Sequence, residues 1–259
     1  MEIKELFNIL KKLAPGLIID DFINHEGDRL KTISKVGICI DPTPPNIIKA
    51  YDNEIDVLIS YHPWQGEAES VVRNGAIEIW PLHTAWDNTE HGVIYTLAKE
   101  IGILGLYQKG EIVYGVTELT FKELIELCQR ALGQNILSYG GDLKLLSNKI
   151  GMWAGPGFLP NYKKFWEVCR DEGCDTIISS EITLSALRYS RARQVKIIDL
   201  GHSAMAKPGM LQLEKLLRGE PALKSCMIDF YDDFYGCNYY TNCAFADQFT
   251  EDDSFFESE

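Results

Sequence analysis

Three apolar segments of this chain run directly into a histidine. They are Ile55-Asp-Val-Leu-Ile-Ser-Tyr-His62-Pro, Ala76-Ile-Glu-Ile-Trp-Pro-Leu-His83-Thr-Ala-Trp-Asp87 and Val195-Lys-Ile-Ile-Asp-Leu-Gly-His202. The chain holds only five histidines, so three in this setting form a pattern. Imidazole is the commonest metal-ligating side chain and the commonest acid–base group near neutral pH. In an open α/β sheet, ligands gather beyond the carboxyl ends of the strands. A lone histidine at a strand end can also hydrogen-bond locally. Three together predict a metal-binding or acid–base pocket.

The candidate set is His62, Asp87 and His202, two imidazoles and one carboxylate. Such a set suits one Zn²⁺, Fe²⁺ or Mn²⁺ with an open position, and a water coordinated there is acidified toward a pKa of about 7. His83 and Asp87 are four residues apart and share a face if the segment turns helically. Glu181 closes a fourth strand, Thr176–Ser180. It is a further ligand, a base, or the dipole-favoured acidic start of the next helix. Tyr61 joins the pocket only if its strand has already ended, because successive strand residues face opposite ways. There is no GxxxxGK[ST] phosphate loop, Gly155-Pro-Gly157 is too short for a dinucleotide fingerprint, and Ser60, Ser179 and Ser180 lack a nucleophile elbow.

The elements that must position these residues alternate strand and helix. Ile3, Leu6, Phe7, Leu10 and Leu13 mark a first helix that stops at Pro15-Gly16. Val36–Ile40 reads as a strand, followed by a helix with Thr43 as N-cap and Pro44 in first position. Strands over 55–60 and 76–82 lead to a helix over 89–100. The second half begins with a strand over 112–116. Thr120-Phe-Lys-Glu123 is a capping box opening an amphipathic helix that Gly133 closes. Strands over 142–146 and 150–154, a helix over 161–172, a strand over 175–180 and a helix over 183–193 follow. The strand 195–200, a last helix over 209–218 and an edge strand over 226–230 complete the series. The alternation predicts an α/β fold with mixed, largely parallel sheets in two lobes, about 1–110 and 111–229, and the site at strand carboxyl ends. A tail over 230–259 follows this 1–229 body.

With 259 residues and 46% apolar content, the chain can bury a sizeable core. It has no apolar run long enough to cross a membrane, and its charged N-terminus does not read as a signal peptide. Seven cysteines without CxxC pairs suit reduced thiols in a cytoplasm. The net charge is −13. Residues 225–259 hold nine acids and no Lys or Arg, which leaves 29 acids against 25 bases elsewhere. Neither part offers the basic face that nucleic acid requires. Phe249, Phe255 and Phe256 interleave with the terminal acids, so this tail either solubilises the protein or docks in an apolar groove with a basic rim, packing over the strand-end cavity or onto a neighbouring subunit and limiting access to His62.

The ordered motifs Gly37-Ile-Cys-Ile-Asp-Pro-Thr-Pro, Leu58-Ile-Ser-Tyr-His-Pro, His83-Thr-Ala-Trp-Asp87, Ile150-Gly-Met-Trp-Ala-Gly-Pro-Gly and Asp199-Leu-Gly-His202 resemble the NIF-three-like family, the dinuclear-metal toroidal hexamers also known as GTP cyclohydrolase type two homologues. The resemblance covers nearly the whole body. It implies a homo-oligomer, a hexamer or the dimer that builds it, metal-dependent hydrolase-like chemistry on a small molecule, and metal ligands at His62, Asp87 and His202. The chain departs from the pattern where the family's first histidine of a pair is Tyr61 and its bridging glutamate is Ala206. The family's paired histidines after the fourth strand are Leu184-Ser185. The family's two-ion centre therefore reduces here to at most one metal, or to a repurposed, non-catalytic scaffold acting through assembly and tail.

Overall fold

The computed structural model describes residues 1–18, 32–66, 68–73, 77–136 and 138–227. The tail expected over 230–259 lies outside the described residues. In chain order the elements are α1 (Ile3–Leu13), β1 (Lys35–Cys39), α2 (Pro44–Asp52), β2 (Val57–Ser60), α3 (Glu69–Arg73), β3 (Glu78–Pro81), α4 (Thr84–Asp87), α5 (Val93–Glu100), β4 (Leu104–Lys109) and β5 (Ile112–Thr120). They continue with α6 (Phe121–Leu132), β6 (Ser138–Gly140), β7 (Leu146–Met152), α7 (Lys163–Asp171), β8 (Thr176–Ser179), α8 (Leu184–Arg193), β9 (Lys196–Asp199), α9 (His202–Arg218) and β10 (Lys224–Met227). The fold is α/β.

Two sheets form. The first is parallel, in the order β10-β1-β2-β3. β2 and β3 are buried at every residue, which is why neither shows the buried–exposed alternation of a half-solvated strand. The second, in the order β4-β5-β7-β8-β9-β6, is mixed, with β7, β8 and β9 parallel and the outer strands antiparallel. The sheets do not follow the lobe boundary drawn from sequence: β4 joins the second sheet and β10 the first. One apolar core serves both, with Val36 and Ile59 of the first sheet, Ile150 and Ile198 of the second, and Val93, Leu124, Met205 and Leu213 of the helices.

Local chemistry fixes several boundaries. Thr120 Oγ1 accepts from Glu123 N at 3.3 Å while Glu123 Oε2 accepts from Thr120 N at 2.8 Å, the expected capping box. Gly133 ends α6 at φ +67°, a conformation that costs glycine nothing. Other expectations are corrected. β4 was not anticipated, because Leu104-Gly-Leu-Tyr-Gln-Lys is an exposed edge with little burial to shape its pattern. The strand expected over 142–146 is a turn, and β6 and β7 lie on either side of it. α9 begins at His202 rather than Gly209, with Pro208 inside the helix. Pro208 falls in the second turn, where it removes one backbone bond without ending the helix.

α9 packs between elements of both sheets. It packs on α5 so tightly that a Cβ at Gly209 would lie 2.7 Å from Val93 Cα. The buried Trp86 indole Nε1 donates to Gly209 O at 3.2 Å.

Candidate functional site

β2 ends at Ser60, so Tyr61 has left the strand and shares the site. The backbone turns over the end of β1, with His62 N donating to Ile40 O at 2.9 Å and Ser60 Oγ donating to His62 O at 2.7 Å. The Tyr61 and His62 rings then meet at 4.7 Å between centres. His83 N donates to Tyr61 O at 2.9 Å, and its ring lies 5.7 Å from Tyr61 and 5.8 Å from His62. From the second sheet, His202 opens α9 and brings its ring to 5.1 Å from that of His62, inclined at 61°. The structure thus gathers His62, His83, His202, Tyr61, Asp87 and Glu181 from two sheets.

Each imidazole of the facing pair has a carboxylate. His62 Nδ1 lies 2.5 Å from Asp41 Oδ1, and His202 Nδ1 lies 2.7 Å from Glu181 Oε1. Asp87 is held differently: the Tyr61 hydroxyl donates to its Oδ1 at 2.6 Å. Glu181 is therefore a partner of His202. Asp199 supports this arrangement from below, its two oxygens accepting from Ile182 N at 2.7 Å and Gly201 N at 2.9 Å. That one carboxylate fixes the backbone on both sides of the Glu181–His202 pair.

Among the described residues, two of the five non-glycine residues with positive φ belong to this cluster. His83 has φ +35° and Glu181 φ +67°, left-handed values that a non-glycine residue adopts at a cost of about 1–3 kcal/mol. Two such residues in one cluster mean that the surrounding structure imposes their placement.

The electrostatics separate the carboxylates. Burial pushes Asp87 up to about 6, against the lowering influence of the Tyr61 hydrogen bond and of His62 and His202. Burial also acts to raise Asp41, but the hydrogen bond and charge of His62, a hydrogen bond from Ser203 and the charge of His202 together hold it below the usual range. Burial, then the charge and hydrogen bond of Asp87, raise the Tyr61 phenol well above its ordinary value, so Tyr61 keeps its proton and acts as a donor. Two carboxylates in one cluster thus differ in proton affinity.

Two imidazoles sharing a tetrahedral ion at about 2.0–2.1 Å place their ring centres about 5 Å apart, as His62 and His202 do. A carboxylate on the other ring nitrogen is the usual orienting partner of a ligating histidine. The expected trio of His62, Asp87 and His202 is not assembled as a ligand set, however. Among the described residues no three His, Cys, Asp or Glu side chains form a group that could hold a metal, and Asp87 is engaged by Tyr61. Ala206, one turn beyond His202, offers no donor. A surface depression of about 490 Å³ at the end of α6, lined by Glu126, Gln129, Arg130, Gly133, Gln134 and Asn135, shares no residue with this cluster.

Sequence reasoning did not assign Asp41 or Asp199 a place in the site. Both follow an apolar run on the same carboxyl edge as the histidines, Gly37-Ile-Cys-Ile before Asp41 and Lys196-Ile-Ile before Asp199, and that was the available signal.

This fold agrees with what the chain is similar to. Residues 1–233 match the family model Duf34/NIF3 (NGG1p interacting factor 3), and the chain belongs to that family. It is 24% identical over 245 residues to the GTP cyclohydrolase 1 type 2 homolog of Clostridium perfringens, covering 84% of this chain and 92% of that protein. Reduced HcgD from Methanocaldococcus jannaschii superimposes with a TM-score of 0.76 at 20% identity, covering 89% and 98% of the two chains. Protein ybgI superimposes with a TM-score of 0.73 at 19% identity, covering 90% and 99%. Among the described residues no helix is long and apolar enough to cross a membrane.

Proposed function

We propose that this chain is a metal-binding member of its family that takes one divalent transition ion (Zn, Fe or Mn) through His62 and His202 and acts as a hydrolase on a small molecule. The observation that carries this reading is the facing imidazole pair, 5.1 Å between ring centres, with each Nδ1 paired to a carboxylate. When Nδ1–H donates to Asp41 or Glu181, the other ring nitrogen keeps its lone pair for a ligand. Asp87 becomes a third donor only by exchanging its Tyr61 hydrogen bond. The ion, when bound, supplies Lewis acidity at a polar bond of the substrate. Tyr61 serves as a fixed hydroxyl donor, and Asp87, titrating near 6, can receive or release a proton close to neutrality.

Metal analysis of the purified chain beside His62→Ala tests the reading. One ion per chain, lost in the variant, is the expected result. An equal metal content in both would overturn it.

A specific observation favours a second reading, a non-catalytic scaffold. Tyr61 occupies Asp87, and Ala206 contributes no carboxylate. In that case the wild-type chain holds no ion above background and acts through its assembly. Under either reading we place the protein in the cytoplasm as a homo-oligomer, a hexamer or the dimer that builds it. Cys39, Cys128, Cys169 and Cys174 are free thiols, which agrees with a reducing compartment, and light scattering reads the mass.

A further inference from the structure

α8 reads Leu-Ser-Ala-Leu-Arg-Tyr-Ser-Arg-Ala-Arg and contains three arginines and no acid. Ala186 and Ser190 face inward. Leu184, Arg188 and Arg191 are all exposed, Leu184 to 63%. Their i, i+4, i+7 spacing puts them on one outward stripe. Arg73, Arg170 and Arg218 each hold a carboxylate, whereas no ion pair joins Arg188, Arg191 or Arg193 to another described residue. In a chain of net charge −13, this is a basic stripe without counter-charges of its own.

The complementary sequence lies in the same chain. Residues 247–259, Asp-Gln-Phe-Thr-Glu-Asp-Asp-Ser-Phe-Phe-Glu-Ser-Glu, carry six acids, three phenylalanines and no base. They follow β10 through residues 228–246. At about 3.3 Å per residue that connection reaches about 60 Å, more than the ~45 Å breadth of a domain of this size. Tethering gives such a segment a local concentration of about millimolar, which favours its own chain over any free acidic partner.

We propose that residues 247–259 seat on the outward stripe of α8 of the same chain, their carboxylates on Arg188 and Arg191 and a phenylalanine against Leu184. The contact is an exposed electrostatic one, so salt screens it: the Debye length falls from about 8 Å at physiological ionic strength to about 3 Å at 1 M.

The test uses the full-length chain with Arg188→Lys and Arg191→Lys, which keep the charge and supply amines. After zero-length carbodiimide coupling, mass spectrometry identifies the partners. The expected result is coupling of positions 188 and 191 to Glu251, Asp252, Asp253, Glu257 or Glu259 within a product of single-chain mass, reduced several-fold at 1 M salt. Coupling only to carboxylates outside 247–259, a product of twice the chain mass, or yields indifferent to salt each overturns the same-chain seat. In the otherwise native chain, Arg188→Glu with Arg191→Glu should speed cleavage after Glu251 by a glutamyl endopeptidase several-fold. Adding Glu251→Lys, Asp252→Lys and Asp253→Lys to that charge-reversed chain should restore the coupling of the tail, read between its new amines and the reversed positions. An unchanged cleavage rate, or no restoration, overturns the proposal.

Discussion

The Tyr61 hydroxyl lies 2.6 Å from Asp87 Oδ1 and donates to it in a buried setting. The phenol engages one oxygen of the buried carboxylate, so this one position governs how available Asp87 is to any other partner.

Tyr61→Phe removes that donor and leaves Asp87 buried without it. Loss of a buried partner typically costs about 1–3 kcal/mol, so urea unfolding of the variant should show a stability loss in that range. Asp87 should also hold its proton to higher pH than in the wild type. A variant as stable as the wild type would show that Asp87 finds another donor.

Asp87 makes stability depend on pH in a defined direction. Folded Asp87 holds its proton up to about 6, whereas the ordinary aspartate value is 3.8. As pH rises between those values the unfolded chain releases its proton first and gains relative to the folded one. Stability therefore falls between about pH 4 and pH 6 and levels off above, by an amount on the order of 2–3 kcal/mol. In chelator-treated protein, Asp87→Asn should flatten this decline. An equal decline in both proteins would assign it to other groups.

Donors can be added around the proposed ligand pair. Tyr61→His frees Asp87 from the phenol and adds an imidazole, and Ala206→Glu adds a carboxylate one turn beyond His202. Together they should raise the metal content above that of the wild-type chain, as read by anomalous scattering. An unchanged content would mean that the spacing around His62 and His202 does not admit a further ion.

Gly209→Ala tests the packing of α9 on α5. The added Cβ would lie 2.7 Å from Val93 Cα and 2.9 Å from Val93 N, and backbone cannot yield as a side-chain tip does. Overpacking of this kind costs about 1–3 kcal/mol. A crystal structure of the variant should show α5 and α9 farther apart and the His62 and His202 ring centres more than 5.1 Å apart. Unchanged spacing would show that the pocket is held from elsewhere.

The strand-end histidines were legible because buried parallel strands write themselves as apolar runs, and the residue that follows such a run stands on the carboxyl edge. The Thr120–Glu123 box was legible because its chemistry is local. The pairing of β10 with β1 was not, since Gly37 meets Cys226 across most of the chain and no local pattern encodes that choice. The start of α9 was hidden by Pro208-Gly209, which looks like a helix stop, although Pro208 sits inside the helix and Gly209 is needed for the approach of Val93. Asp41 and Glu181 could be listed from sequence as carboxylates near the edge, but their assignment to His62 and His202 is set by loop geometry, including the left-handed backbone at Glu181.

The Trp86–Gly209 contact also sets when the pocket can exist. Its partners are separated by 123 residues, and a ribosome adds about 5–20 residues each second. The first sheet's half of the cluster therefore emerges roughly 6–25 seconds before the helix that carries His202. During that interval His62 and Asp87 face no α9, and the outer strand β10 has yet to be made. Until α9 is made, the nascent chain lacks half of the proposed ligand pair.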